Sequence, residues 1–264
     1  MLSIRKVIAG FFLLALVVAT TACHRRAHQE MTNEELAERV EKGVERAVDD
    51  LDGTDAQADE IKVQVRTLLP DVFALRAKKD PTKAALQKQL MSPNPDLAAV
   101  DGIIDDVSSD LTAFALKAAP VAVNVHGILD GEQRLEIAER WEGSAAKWSK
   151  RRRSSWMADA VFDRGLDEIE ATDAQVQYAL EKKAELTEKG EKLRAQKNRT
   201  RTFFLAQLKS DRPDADAINA EIQKTSKNMT AFAHQVSAAV IGFAKTLTPE
   251  QRARVAEMVT EHHR

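Results

Sequence analysis

Apolar residues recur along this chain in mixed steps of three and four. From Val100 the stripe continues at positions 104, 107, 111, 114, 118, 122 and 125, the spacing of a helix packed lengthwise on another helix. It predicts a helix from near Pro95 to near His126, roughly 45 Å long at about 1.5 Å per residue. A second stripe runs through Ile218, Ile222, Met229, Phe232, Val236, Val240 and Phe243, with Thr225 as its polar exception. A rod of that length cannot close a compact core alone, so each long helix calls for a partner of similar length.

Capping signals set the helix starts. Thr32-Asn-Glu-Glu35 is a capping box, and its helix is expected to run to about Leu51. Thr54 to Gln57 repeats the device with glutamine in the third position and opens a helix carrying Ile61, Val65, Leu68 and Leu69. Pro70 should kink or end that helix, because proline has no amide hydrogen and clashes with the preceding turn. Asp130-Gly131-Glu132-Gln133 and Thr248-Pro249-Glu250-Gln251 are two further starts, the latter with proline at the favoured first position. From about Asp130 to Ile169 the pattern predicts one continuous helix, or two with a short break.

These elements are written twice. Thr54-Asp-Ala-Gln57 recurs as Thr172-Asp-Ala-Gln175, a shift of 118 (172 − 54), and the register holds without a gap thereafter. Leu75-Arg76-Ala77 returns as Leu193-Arg194-Ala195, Gln89-Leu90 with Ser92 as Gln207-Leu208 with Ser210, and Pro95-Asp96 as Pro213-Asp214. Thr112-Ala-Phe-Ala115 and Glu132-Gln-Arg134 return as Thr230-Ala-Phe-Ala233 and Glu250-Gln-Arg252. Tandem copies can pack on each other as two subunits of a dimer do. Glu188 stands at the place of Pro70, so the copies need not bend alike.

The N-terminus changes the setting. Arg5-Lys6, an apolar stretch from Val7 to Val18 and Ala19-Thr-Thr-Ala22 before Cys23 read as a signal peptide over 1–22. Cys23 is the only cysteine, so no internal disulfide forms, and its position suits lipid attachment. Cleavage nearby by an ordinary signal peptidase, leaving a soluble protein, is the alternative. Without residues 1–22 the 39 basic and 41 acidic residues become 37 and 41, a net of −4. So balanced a charge argues against nucleic acid as partner. With 10 glycines and 7 prolines among 264 residues, the composition is that of long helices, and the fold class is all-α. The expected divisions are a tether and start of the first helix at 23–42, repeat 1 at 43–146, a basic helical connector at 147–160 and repeat 2 at 161–264.

Two x-x-Gln helix starts per copy, 76 residues apart (133 − 57 and 251 − 175), resemble the paired LTxxQ motifs of the periplasmic Spy/CpxP family. Leu247-Thr248-Pro249-Glu250-Gln251 matches the motif fully. Thr54 with Gln57, and Thr172 with Gln175, match except at the leucine, which is Gly53 and Ala171; Asp130 replaces the threonine before Gln133. The sequence around Cys23 resembles a bacterial lipobox, and His24 in the next position implies the outer membrane. The family resemblance implies small helical proteins that dimerise into a curved cradle and act as ATP-independent chaperones, stress regulators or metal-sensing relatives. By that likeness the chain is expected to be a pseudo-dimeric curved bundle in one polypeptide, tethered in the periplasm through Cys23. It would bind unfolded or misfolded proteins under envelope stress. A regulator or metal sensor of the same family and a client-free structural spacer are the competing readings.

Candidate residues follow from this. Thr54, Gln57, Asp130, Gln133, Thr172, Gln175, Leu247, Thr248 and Gln251 read as helix caps. Arg76, Lys78, Lys79, Arg194 and Lys197 sit beside apolar positions, as a weakly binding amphiphilic surface needs, and as any solvent-facing helix also shows. Arg151-Arg-Arg153 is a basic patch or a solvated face, and Trp148 and Trp156 are a sticky patch or core. His24 and His28 with His262-His263 are a conceivable metal set joining the chain ends; no metal or cofactor is otherwise expected. No Gly-x-Ser-x-Gly, phosphate-cradling loop or zinc-protease motif occurs, so an enzyme is not expected.

Overall fold

The computed structural model describes residues 31–151 and 155–261, with side chains described outside 144–161 and 256–261. The signal segment, Cys23, His24, His28, Arg152, Arg153 and His262-His263 lie outside the described residues, as do the side chains of Trp148, Arg151 and Trp156.

Among the described residues there are nine α-helices and no strand. Copy one carries α1 (Asn33–Asp49), α2 (Asp55–Arg66), α3 (Leu69–Leu90), α4 (Leu97–Ile128) and α5 (Gly131–Arg151). Copy two carries α6 (Ser155–Glu168), α7 (Asp173–Lys209), α8 (Ala215–Thr246) and α9 (Pro249–Glu261). The bounds of α8 are those of α4 moved by 118, and α6 stands where α1 stands, which carries the repeat back to the first helix.

Local chemistry sets the ends. Thr32 Oγ1 accepts from the Glu35 amide at 3.1 Å while Glu35 Oε2 accepts from the Thr32 amide at 2.7 Å, closing the box that starts α1. The same helix ends in a left-handed residue, Asp52, with φ of 52°, and Glu170 repeats this after α6 with φ of 51°. In each case the following amide reaches back to close the last turn, Gly53 to Val48 O at 2.9 Å and Ala171 to Leu166 O at 3.0 Å.

Pro70 falls in the first turn of α3, where its missing amide costs nothing, and the chain breaks between α2 and α3 just before it. Copy two, with Glu188 there, runs through as the single helix α7, so the copies differ as their sequences imply. Pro81 and Pro120 instead lie inside α3 and α4.

Two compact units form, and neither is one copy. Unit 1 comprises the described residues up to Lys79 with Asp110–Lys147 and Thr200–Lys224. Its core joins Leu36, Val40, Val44 and Val48 of α1 to Ala58, Ile61 and Val65 of α2, then to Phe114 and Val125 of α4 and Leu129. Each Val, Leu, Ile or Phe side chain among them contributes about 1.5–3 kcal/mol on burial. Copy two enters through Leu205 and Leu208 of α7, which pack on Ala138 of α5. Unit 2 comprises Asp80–Ser109, the described part of Trp148–Arg199, and Thr225 onward. It holds the long-helix start and hairpin end of copy one against copy two: Asp101 accepts from Ser237 Oγ at 2.6 Å, and Ser108 Oγ lies 3.4 Å from Ser226 Oγ.

Candidate functional site

The motif glutamines do more than cap. Gln57 Oε1 accepts from the Thr54 amide at 2.9 Å, and Gln133 Oε1 accepts from the Asp130 amide at 3.1 Å. The two amides also bond each other, Gln57 Nε2 to Gln133 Oε1 at 3.0 Å and Gln133 Nε2 to Gln57 Oε1 at 3.3 Å. Each Nε2 then donates once more, Gln57 to Ile128 O at 3.0 Å and Gln133 to Leu51 O at 3.5 Å. Every donor and acceptor of the pair is occupied, as burial demands.

Copy two repeats the staple in unit 2. Gln175 Nε2 donates to Gln251 Oε1 at 2.9 Å and Gln251 Nε2 to Gln175 Oε1 at 3.0 Å, with further bonds to Thr246 O at 2.8 Å and Glu170 O at 3.2 Å. Thr172 and Thr248 close their boxes on the same oxygens at 2.9 Å and 3.0 Å. Leu247 and Leu129, the two motif leucines, are both buried. The caps expected from the sequence are therefore present, and the amide-to-amide bond across 76 residues is what cap reasoning missed. The recurrence of that interval in both copies was its only trace in the sequence.

The arginine after each second glutamine ties the copies together. Arg134 donates to Leu129 O at 2.7 Å and lies 3.5 Å from Asp211 Oδ1 in the turn of copy two. Arg252 donates to Leu247 O at 2.7 Å and to Pro93 O at 3.0 Å in the turn of copy one. Asp211 and Pro93 are equivalent positions (211 − 118 = 93). Beside Arg134 the copies part: His126, buried, donates from Nε2 to Ser210 O at 2.8 Å, whereas its equivalent is Ala244. Burial pushes the His126 pKa below its ordinary value and the Arg134 guanidinium adds to this, while the Ser210 and Leu208 carbonyls and Asp211 pull the other way.

The long apolar stripe is only partly covered. Val100, Phe114 and Val125 are buried, but Val107 and Leu111 are exposed; Met229, the equivalent of Leu111, is 54 % exposed. α4 is long and apolar enough to cross a membrane by length and composition, with mean hydropathy 1.3, and 22 % of that window is buried. In unit 2 the contact between α4 and α8 is made by small polar residues, Ser108 meeting Ser226 and Thr230.

Of the basic candidates, Arg76 donates to Met31 O and Lys78 pairs with Asp110 at 2.6 Å, so both are engaged within unit 1, where Lys79 is exposed. Arg194 and Lys197 are exposed in unit 2. Among the described residues no three His, Cys, Asp or Glu side chains group as metal ligands. An open cleft of about 300 Å³ lies in unit 2, lined by Met91, Pro93, Pro249, Arg252 and Ala253. Comparisons with protein-family models, with curated proteins and with solved structures return no match.

Proposed function

We propose that this chain is an ATP-independent, chaperone-like periplasmic lipoprotein, anchored through Cys23, that holds unfolded or misfolded proteins and limits their aggregation. The observation that carries the reading is the apolar side chain left outward at the same repeat position in both copies, Leu111 and Met229, on helices whose sequence calls for burial. Such side chains offer shallow contacts worth about 25 cal/mol per Å² covered, weak enough to release a client once it buries its own apolar surface. The paired LTxxQ-like motifs support the same reading by resemblance.

The two copies together stand for the family's two subunits in this proposal. Supporting it, Ser108 approaches Ser226, its own equivalent (108 + 118), and the arginine contacts are reciprocal, Arg134 to the turn of copy two and Arg252 to that of copy one. Equivalent residues meeting each other is the mark of an isologous contact.

An aggregation assay on a reduced model substrate tests the function. The mature protein at equimolar ratio should suppress light scattering, and Leu111→Asp with Met229→Asp should lose that suppression without unfolding. Absence of suppression by the unaltered protein overturns the proposal.

A further inference from the structure

We propose that the open cleft of unit 2 captures the C-terminal residue of a polypeptide, with its carboxylate on Arg252 and its apolar side chain against Met91, Pro93, Pro249 and Ala253. The two copies set the same arginine in different company. In unit 1 Arg134 Nη2 lies 3.5 Å from a carboxylate oxygen of Asp211, and the other bonds of that arginine go to backbone carbonyls. In unit 2 the position equivalent to Asp211 is Pro93, and Arg252 reaches carbonyls alone. Its Nη1 meets Ser92 O at 3.4 Å, Pro93 O at 3.0 Å and Ala244 O at 3.2 Å, and its Nη2 meets Leu247 O at 2.7 Å. Among the described residues Arg252 has no ion pair, and its Nε has no hydrogen bond. Glu250, the nearest acid along the chain, is bonded to its own amide and to the Thr248 hydroxyl. A guanidinium with a donor to spare and no counterion is suited to a carboxylate brought from outside.

The cleft is lined by Arg252 and by Pro93 itself, so it adjoins the place that the aspartate takes in copy one. Its other walls, Met91, Pro249 and Ala253, are uncharged, which asks for an apolar side chain next to the carboxylate. Met91 adapts to apolar groups of different shape. With about 300 Å³ the cleft is at the small end for a ligand site, and it is open. A free small molecule would keep much of its surface in water there, whereas a chain end seats only its last residue and leaves by the mouth. Copy one does not repeat the site, since Lys209 and Asp211 stand at the places of Met91 and Pro93. Leu111 and Met229, on which the chaperone reading rests, are not among the lining residues, so the site holds or fails apart from that reading.

Fluorescence anisotropy of a short peptide ending in Leu-Leu, labelled at its N-terminus and titrated with the full mature chain, tests the site. The peptide with a free α-carboxylate should bind, and the same peptide with a C-terminal amide should bind roughly ten-fold more weakly, because a charge-assisted contact is lost. Pro93→Asp gives Arg252 the internal partner that Arg134 has, and should weaken the free-carboxylate peptide to the level of the amide. The equivalent turn already carries Asp211, so this variant should fold, which far-ultraviolet circular dichroism checks. The comparison of the two peptides on the unaltered chain stands without it. No binding of the free-carboxylate peptide, equal binding of the amide, or binding that survives Pro93→Asp in a folded variant overturns the proposal.

Discussion

Gln251 shows how one side chain can carry four bonds. Its Oε1 serves the Thr248 amide and Gln175, and its Nε2 serves Gln175 and Glu170 O, all at 2.9–3.2 Å. Truncation to alanine leaves the buried Gln175 amide short of partners, a loss of about 2–4 kcal/mol when an unmet buried group is added to the lost bond. Thr32→Ala, which removes an exposed cap, should cost only about 1 kcal/mol. Urea melts of the two variants check the ordering; equal midpoints for both would contradict the staple. Residue-level reading of the sequence located these caps because a Thr-x-x-Gln string has a local meaning. It did not locate the staple, since which glutamine meets which is decided by how α2 and α5, or α7 and α9, are brought together.

The connections between elements carry the next prediction. Asp52 and Glu170 hold left-handed backbone, which costs a residue with a Cβ about 1 kcal/mol. Glu170→Gly should therefore raise the melting temperature, and Asp52→Gly should do so by less, because aspartate tolerates that conformation better. Gly53 next to it behaves differently: a Cβ there would lie 2.5 Å from Val48 Cγ1. Gly53→Leu should destabilise by about 1–3 kcal/mol through overpacking, measurable as a lower denaturation midpoint. The sequence alone showed no reason for glycine at this position, whereas the structure gives it a packing cause. Helix extents were legible because caps, prolines and the three-and-four spacing all act locally. Exposure of Val107 and Leu111 was not, since it depends on which neighbours tertiary packing brings to each face of α4.

At the scale of the molecule, the two compact units cut across the tandem copies, because each unit takes the hairpin end of one copy onto the helix ends of the other. The sequence revealed two copies but not this exchange, since nothing in a repeat states which copy its turn will rest on. Stability should follow pH through the buried imidazole. Its folded pKa lies below the unfolded value of about 6.5, so the unfolded chain takes the proton first. The contribution is complete above that value and is lost as pH falls below it. Chemical denaturation between pH 8 and pH 5 should show His126→Gln losing less stability than the unaltered chain over the acidic half of that range.

Joining both copies in one polypeptide also frees them from sameness. In an assembly of identical subunits any histidine at this place would occur at both ends at once, and any change would be made twice. Here His126 bonds to the turn of copy two, while alanine, Ala244, stands at the equivalent position. A tandem chain can thus vary the contact in one copy while the other copy keeps its own, a division of labour that identical subunits cannot reach.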